Sequence, residues 1–289
     1  MSEKQIQKIE KEDVKVPSLE DGTSAIIFQR HERYDRDTKS ETAGSLFPDD
    51  AQKAFDRDSL FFHDLIAQDT EGSETMVLFI SSDTQYADKG YRSLETAQIA
   101  ENAAITAMEA AGVDPTKRII NLNSAFNTDG FEPTGQSIRP DKNIREPQIF
   151  DNLDYVDFLK EKYGDKDGLT PKAWGAHEMD AEKEKREELG AEGVYDILDR
   201  TKKSIAIMER YARVFHANNP NKKLLIWVAS HYDTISPLVK DATGTRFDEY
   251  VPVDYGAGVV IELSKDSEPT LNAQGQRIKL NIGKSALKV

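Results

Sequence analysis

Two histidines, each placed directly after a short apolar run, are the residues best suited to do chemistry. His31 follows Arg30 after the apolar residues 25–28, and His231 follows Ser230 after the apolar residues 224–229. A neutral imidazole is a competent nucleophile at pH 7, because its ordinary pKa is about 6.5. The planar fork of arginine matches the negative oxygens of a phosphoryl group. These residue types could perform nucleophilic chemistry on an anionic group.

The elements that must position these side chains are buried strands. Continuous apolar runs of this length are typical of strands that are covered on both faces. Residues 76–80 form a third such run. Ligands of open α/β sheets bind beyond the carboxyl ends of the strands. If the strands before His31 and His231 are parallel neighbours, both histidines face one pocket.

Three short motifs follow one another along the chain, each at the end of a predicted strand or the start of a helix. They are Arg30-His31, then Ser81-Ser82 with Arg92 and Thr96-Ala97, and finally Ser230-His231. In type and order they resemble the motifs of the histidine phosphatase superfamily, the phosphoglycerate-mutase-like phosphatases. The resemblance runs from about residue 25 to about residue 263 and is weakest in the middle. It implies a three-layer α/β/α sandwich with a mostly parallel central sheet and a lid insertion.

The resemblance also implies roles for individual residues. His31 would attack phosphorus and become a phosphohistidine. Arg30, Arg92 and His231 would bind the phosphoryl oxygens and stabilise the transition state. The implied function is a phosphomonoester hydrolase that needs no metal and no cofactor. Its substrate would be a phosphorylated small molecule.

The general acid of such a reaction must be a carboxyl group that is kept protonated near the ester oxygen. The segment Ile144-Arg145-Glu146 resembles a Leu-Arg-Glu segment whose glutamate is the acid in smaller family members. Glu146 is therefore the first candidate. Glu178, in the predicted lid, is the alternative.

Several positions depart from the family pattern. Glycine is replaced by Glu32 after the first histidine and by Tyr232 after the second. An anionic side chain at residue 32 would repel phosphate unless it points away. Acid-phosphatase-like members carry a further arginine where this chain has Tyr34. Either Arg33 or Arg36 could substitute for that arginine.

Three alternatives compete with hydrolysis through a phosphohistidine. Asp35 and Asp37 hint at the Asp-x-Asp motif of haloacid-dehalogenase-type phosphatases, but they lie well beyond the strand end, where a nucleophile could not be held rigidly. Residue 37 is also the position at which mutase-like members carry asparagine. A phosphoglycerate-mutase-like phosphotransferase would use the same phosphohistidine. A pseudophosphatase that binds phosphate esters without turnover would account for Glu32 and Tyr232.

Composition limits the partners. The formal net charge of −14 argues against nucleic acid and against an anionic membrane surface. An anionic substrate therefore needs local arginines. The absence of cysteine excludes disulfides and thiolate metal sites. No stretch approaches the roughly 18 apolar residues of a membrane span, and the N-terminus has no apolar signal core, so a cytoplasmic location is expected. The sequence predicts no oligomeric state.

The predicted domain organisation has three parts. Residues 1–20 form a flexible charged tail, residues 21–289 form the α/β domain, and residues 123–196 form a lid inserted into it. Periodicity predicts helices that begin at residues 92 and 194. The family resemblance and Pro48 imply a helix that begins near residue 48. Further helices are predicted at 155–162 and in the charged run 180–188. Further strands are predicted at 118–122, 258–263 and 277–282.

Overall fold

A seven-stranded mixed sheet forms the centre of the molecule. The computed structural model describes residues 8–86, 88–121, 137–147, 152–164, 170–247, 249, 251–264 and 268–282. The strands are β1 (Ser24–Arg30), β2 (Thr75–Ser82), β3 (Arg139–Asp141), β4 (Lys223–Ser230), β5 (Gly258–Leu263), β6 (Thr270–Ala273) and β7 (Gln276–Lys279). The α-helices are α1 (Pro48–Ile66), α2 (Arg92–Ala110), α3 (Leu153–Tyr163), α4 (Pro171–Glu178), α5 (Lys183–Glu188), α6 (Val194–Asn218) and α7 (Tyr232–Thr243).

The order of the sheet is β3-β2-β4-β1-β5-β6-β7, and its first four strands are parallel. Strand β4 lies between β2 and β1, with Arg30 of β1 aligned with Ser230 of β4. Strands β5, β6 and β7 add an antiparallel edge. The predicted parallel adjacency of the two strands that carry the histidines is therefore confirmed.

Helices cover both faces of the sheet, as its continuous apolar strands require. Ile27 and Trp227 pack with α1 and α2 on one face. Phe28 and Val228, the next residues along the same strands, pack with α6 and α7 on the other. This alternation follows from the two-residue period of a strand. The predicted α/β/α sandwich is confirmed.

The region between α2 and α6 builds a small unit of its own. Helices α3 and α4 share an apolar cluster that contains Tyr155, Leu159 and Ala173. The short strand β3, which the sequence did not predict, pairs with β2. Residues 123–136, 148–151 and 165–169 of the predicted insertion lie outside the described residues. None of the described helices is both long enough and apolar enough to span a bilayer.

The N-terminal segment differs from the prediction. Residues 1–7 lie outside the described residues, but Ile9 is fully buried, and its backbone bonds to Pro252 and Asp254. Leu19 is also buried. Residues 8–20 thus include buried apolar side chains within the predicted tail, which the sequence did not indicate because isolated apolar residues in a charged segment give no periodic signal. The predicted strand at 118–122 is reduced to a single bridge between Ile119 and Val77.

Candidate active site

The two histidines meet at the carboxyl ends of β1 and β4. Their ring centroids lie 5.2 Å apart, and both side chains are buried. Arg92, the first residue of α2, reaches the same place, because β2 ends beside β4 and α2 begins shortly afterwards. Arg30 ends β1. The structure thus brings together the four residues that the motifs predicted to surround a phosphoryl group.

Hydrogen bonding assigns the tautomer of His31. Its Nδ1 lies 2.8 Å from the carbonyl oxygen of Glu32, which can only accept, so Nδ1 carries the proton. Its Nε2 accepts a hydrogen bond of 3.1 Å from Nε of Arg92. The lone pair of the imidazole is therefore on Nε2 and faces the guanidinium group of Arg92.

Burial keeps both imidazoles neutral. It lowers the pKa of His31 well below its ordinary value, and the positive charges of Arg92 and Arg30 lower it further. The pKa of His231 is lowered in the same way by burial, by Arg92 and by His31. Protonating either ring would place another cation among buried cations. His31 is thus in the nucleophilic form at neutral pH.

Several buried side-chain nitrogens at this point have no hydrogen-bond partner. They are Nε of Arg30, Nη1 of Arg92 and Nδ1 of His231. Buried polar atoms in proteins almost always have partners, so such a cluster needs an explanation. An oxyanion can accept several charge-assisted hydrogen bonds at once. The arrangement is chemically suited to bind one.

Glu146 lies beside this cluster. Its carboxylate pairs with Nη2 of Arg92, and its Oε1 is 3.7 Å from Nδ1 of His231. The loop is held by Arg200, which donates to the carbonyl oxygens of Asn143 and Arg145 at 2.6 and 2.7 Å. Of the two predicted candidates for the acid, Glu146 is therefore the one that contacts the histidine cluster.

Glu178 is engaged elsewhere. Its Oε2 accepts a hydrogen bond of 2.7 Å from Nζ of Lys240, and its Oε1 accepts one from the hydroxyl of Tyr232. Both partners of the Lys240–Glu178 ion pair are buried. Glu178 thus links α4 to α7. The hydrogen bond to Oε1 of Glu178 also shows where the side chain of Tyr232, which replaces the family's glycine, is directed.

The structure also shows the partners of the other residues that depart from the family pattern. The carboxylate of Glu32 pairs with Arg57 at 2.6 Å and with Lys11 at 3.4 Å, so its charge is neutralised away from the unpartnered donors. Of the two predicted substitutes for the missing arginine, Arg36 bonds to the hydroxyl of Tyr255, which lies against His31. Arg33 lies over the ring of Phe47 instead.

Sequence reasoning missed a buried carboxyl group in the first turn of α7. Burial raises the pKa of Asp233 to about 7, and the neighbouring Glu146 and Glu178 act in the same direction. Its position two residues after His231 was a usable signal. No local pattern marked Arg200, which holds the loop of Glu146. None marked the three tyrosines beside Arg30 and Arg92, which are Tyr34, Tyr86 and Tyr255. Among the described residues, no group of three or more His, Asp or Glu side chains could hold a metal ion.

Comparisons with known proteins bear on the fold. No protein-family model and no curated protein matches the sequence. Among solved structures, a phosphoglycerate mutase from Bacillus anthracis str. Sterne matches with a TM-score of 0.50 and 14% identity, over 89% of this chain and 95% of that one. Mycobacterial hydrolase 1 matches with a TM-score of 0.48 and 11% identity, over 88% of this chain and 99% of that one.

A mycobacterial glucosyl-3-phosphoglycerate phosphatase in complex with VO3 matches with a TM-score of 0.44 and 14% identity, over 86% of this chain and 97% of that one. The match to the mutase shows that this chain has the α/β fold of phosphoglycerate mutase. That is the fold implied by the resemblance of the three motifs to the histidine phosphatase superfamily, and it supports that resemblance.

Proposed function

We propose that this protein is a phosphomonoester hydrolase that acts through a phosphohistidine on His31, without a metal or other cofactor. The observation that carries the proposal is the set of unpartnered nitrogens on Arg30, Arg92 and His231 beside the neutral ring of His31. A phosphoryl group bound there would satisfy those donors. It would also bring phosphorus close to the lone pair on Nε2 of His31.

The reaction would proceed in two displacements. Nε2 of His31 attacks phosphorus, and the bond from phosphorus to the ester oxygen breaks. The departing oxygen takes a proton from a carboxylic acid, for which we propose Glu146. Water then attacks the phosphohistidine, Glu146 accepts the proton of that water, and inorganic phosphate and free His31 are released. Arg30, Arg92 and His231 would stabilise the charge on the phosphoryl oxygens in both steps.

A phosphorylated small molecule is the proposed substrate class. The net charge of −14 opposes binding of a large polyanion, whereas a small anion can be neutralised locally by the arginines. We propose that the unit formed by α3, α4 and α5 acts as the lid that selects among such substrates. Its buried link from Glu178 to Lys240, on the helix that follows His231, supports that placement.

The test is turnover of p-nitrophenyl phosphate by the metal-free protein and by His31→Ala. We expect the substitution to reduce turnover by about 10³-fold or more, because it removes the nucleophile. His63→Ala is the matched control, since that histidine is 70% exposed and lies on α1, and it should leave turnover unchanged. Rapid quenching should trap an acid-labile phosphate on His31.

Other outcomes would support the alternatives. Tight binding of inorganic phosphate, with no turnover across a broad panel of phosphoesters, would indicate a pseudophosphatase. Transfer of phosphate to a second substrate hydroxyl, rather than to water, would indicate a mutase-like phosphotransferase. Undiminished turnover in His31→Ala would contradict the proposed mechanism.

A further inference from the structure

The guanidinium groups of both candidate phosphate-binding arginines lie over tyrosine rings. The guanidinium carbon of Arg30 lies over the ring of Tyr255, 3.8 Å from its centroid. The guanidinium carbon of Arg92 lies 4.4 Å from the ring centroid of Tyr34 and 5.0 Å from that of Tyr86. A cation over an aromatic face at these distances is attracted by the negative potential of the ring.

Because a guanidinium group is planar, a contact with an aromatic ring differs from an ion pair with a carboxylate in the donors that it uses. Its N–H donors lie in its plane, so a ring over the face leaves the edge free to form hydrogen bonds. A carboxylate partner would instead occupy the edge. Each edge is only partly used. Nη1 of Arg30 donates to Val253, and Nε and Nη2 of Arg92 contact His31 and Glu146. Nε of Arg30 and Nη1 of Arg92 have no hydrogen-bond partner, and the rings contact the cations without occupying these two donors.

Arg36 joins the tyrosines into one assembly. Its Nη2 donates to the hydroxyl of Tyr255, and its carbonyl oxygen accepts a hydrogen bond of 3.1 Å from the hydroxyl of Tyr86. Its guanidinium carbon also lies 5.5 Å from the ring centroid of Tyr34. The three tyrosines come from the loops after β1, after β2 and before β5, so Arg36 fixes three separate segments relative to one another.

We infer that Tyr255 and Tyr34 are positioning residues that hold the guanidinium groups of Arg30 and Arg92 through cation–π contacts, so that their unpartnered N–H groups stay aligned for a phosphoryl group. This inference rests on the proposed function and adds to it the device that orients the arginines. If the rings only filled space, leucine would replace them at little cost. If the cation–π contact positions the arginines, only an aromatic side chain can replace the tyrosines.

The experiment compares Tyr255→Phe with Tyr255→Leu, and Tyr34→Phe with Tyr34→Leu. We measure kcat and KM for p-nitrophenyl phosphate and the inhibition constant of inorganic phosphate. Each leucine variant should weaken phosphate inhibition and lower kcat/KM about tenfold, the effect of losing a desolvated cation–π contact. Each phenylalanine variant should stay within about threefold of the parent, because the aromatic face is retained.

Two controls isolate the contact. Tyr195→Leu removes a tyrosine that is 53% exposed on α6 and should change neither constant. A double-mutant cycle adds Arg30→Lys, which removes the planar group beneath Tyr255. In that background Tyr255→Leu should have less than half of its effect on a logarithmic scale, since coupled residues are not additive.

The outcomes separate this inference from the proposed function. Leucine variants that melt like the parent and bind phosphate equally well would overturn the inference alone. Phenylalanine variants as weak as the leucine variants would assign the effect to the hydroxyl groups and would overturn it too. If one leucine variant does not fold, the other tyrosine and the coupling to Arg30 decide. A parent protein that neither binds nor hydrolyses phosphate esters would instead refute the proposed function.

Discussion

Burial acts on bases and acids in opposite directions, and in both cases it favours the neutral form. It lowers the pKa values of His31 and His231 and raises that of Asp233 to about 7. At neutral pH both imidazoles are therefore neutral, whereas Asp233 is close to half protonated.

The substitution Asp233→Asn tests this account through stability. In the folded protein the pKa of Asp233 is raised from 3.8 to about 7, so between these values the folded state binds a proton that the unfolded state releases. The contribution of Asp233 to stability is therefore present below about pH 4 and is lost as pH rises through 7. Asparagine mimics the protonated form and does not titrate.

We expect the stability of Asp233→Asn relative to the parent to increase by roughly 4 kcal/mol between pH 4 and pH 8, from about three pKa units at about 1.4 kcal/mol each. Urea unfolding of both proteins at each pH measures this difference. Asp64→Asn, at a position on α1 that is 69% exposed, serves as the control. A difference between Asp233→Asn and the parent that does not change with pH would contradict the raised pKa.

At the scale of elements, α4 and α7 are joined by a buried ion pair. Nζ of Lys240 lies 2.7 Å from Oε2 of Glu178, and neither side chain is more than 6% exposed. Helix α7 begins directly after His231, so this contact anchors the inserted unit next to the histidines. Removing one partner of a buried pair leaves an uncompensated charge, which costs far more than the pair contributes.

The substitution Lys240→Met should therefore destabilise the protein by about 3–5 kcal/mol. The double substitution Lys240→Met with Glu178→Leu should recover most of that loss, because no buried charge remains. Lys183→Met, which breaks an exposed pair with Glu187 on α5, should change stability by less than about 1 kcal/mol. Urea unfolding measures all three, and equal effects at Lys240 and Lys183 would argue against a buried link.

At the scale of the whole molecule, the N-terminal segment packs against a loop next to the candidate active site. The backbone of Ile9 bonds to Pro252 and Asp254 at 2.8 and 3.0 Å. Val253, between these residues, accepts a hydrogen bond from Arg30, and Tyr255 follows shortly after. A segment near the beginning of the chain thus supports the loop that contacts Arg30, one of the two arginines proposed to bind phosphate.

Truncating this anchor should be costly. Ile9→Ala removes a fully buried side chain, and we expect a loss of about 2–5 kcal/mol in the free energy of unfolding. Ile207→Ala, at a position 58% exposed on α6, is the matched control and should cost less than about 1 kcal/mol. Unfolding of both variants in guanidinium chloride measures these losses. Similar losses at the two positions would show that the N-terminal segment adds little.

Elements and residues that are marked by a local sequence pattern could be predicted from the sequence. Apolar runs predicted β1, β2 and β4, and the polar residues that follow these runs included His31 and His231. Strand ends are recognisable because hydrophobicity changes abruptly there. The period of three and four residues likewise predicted α2 and α6, since each buries one face on the sheet. Short or irregular elements such as β3 carry no comparable periodicity.

The buried parallel strands, and the histidines and arginine beyond them, can be predicted from the amino acids alone, because strand burial and motif order depend on neighbouring residues. Three contacts are visible only in the folded protein: Glu32 pairs with Arg57, Glu178 pairs with Lys240, and Arg30 lies over the ring of Tyr255. Each of these contacts joins segments far apart in the chain. Their partners are selected by packing and by the need to neutralise buried charge, which no local pattern records.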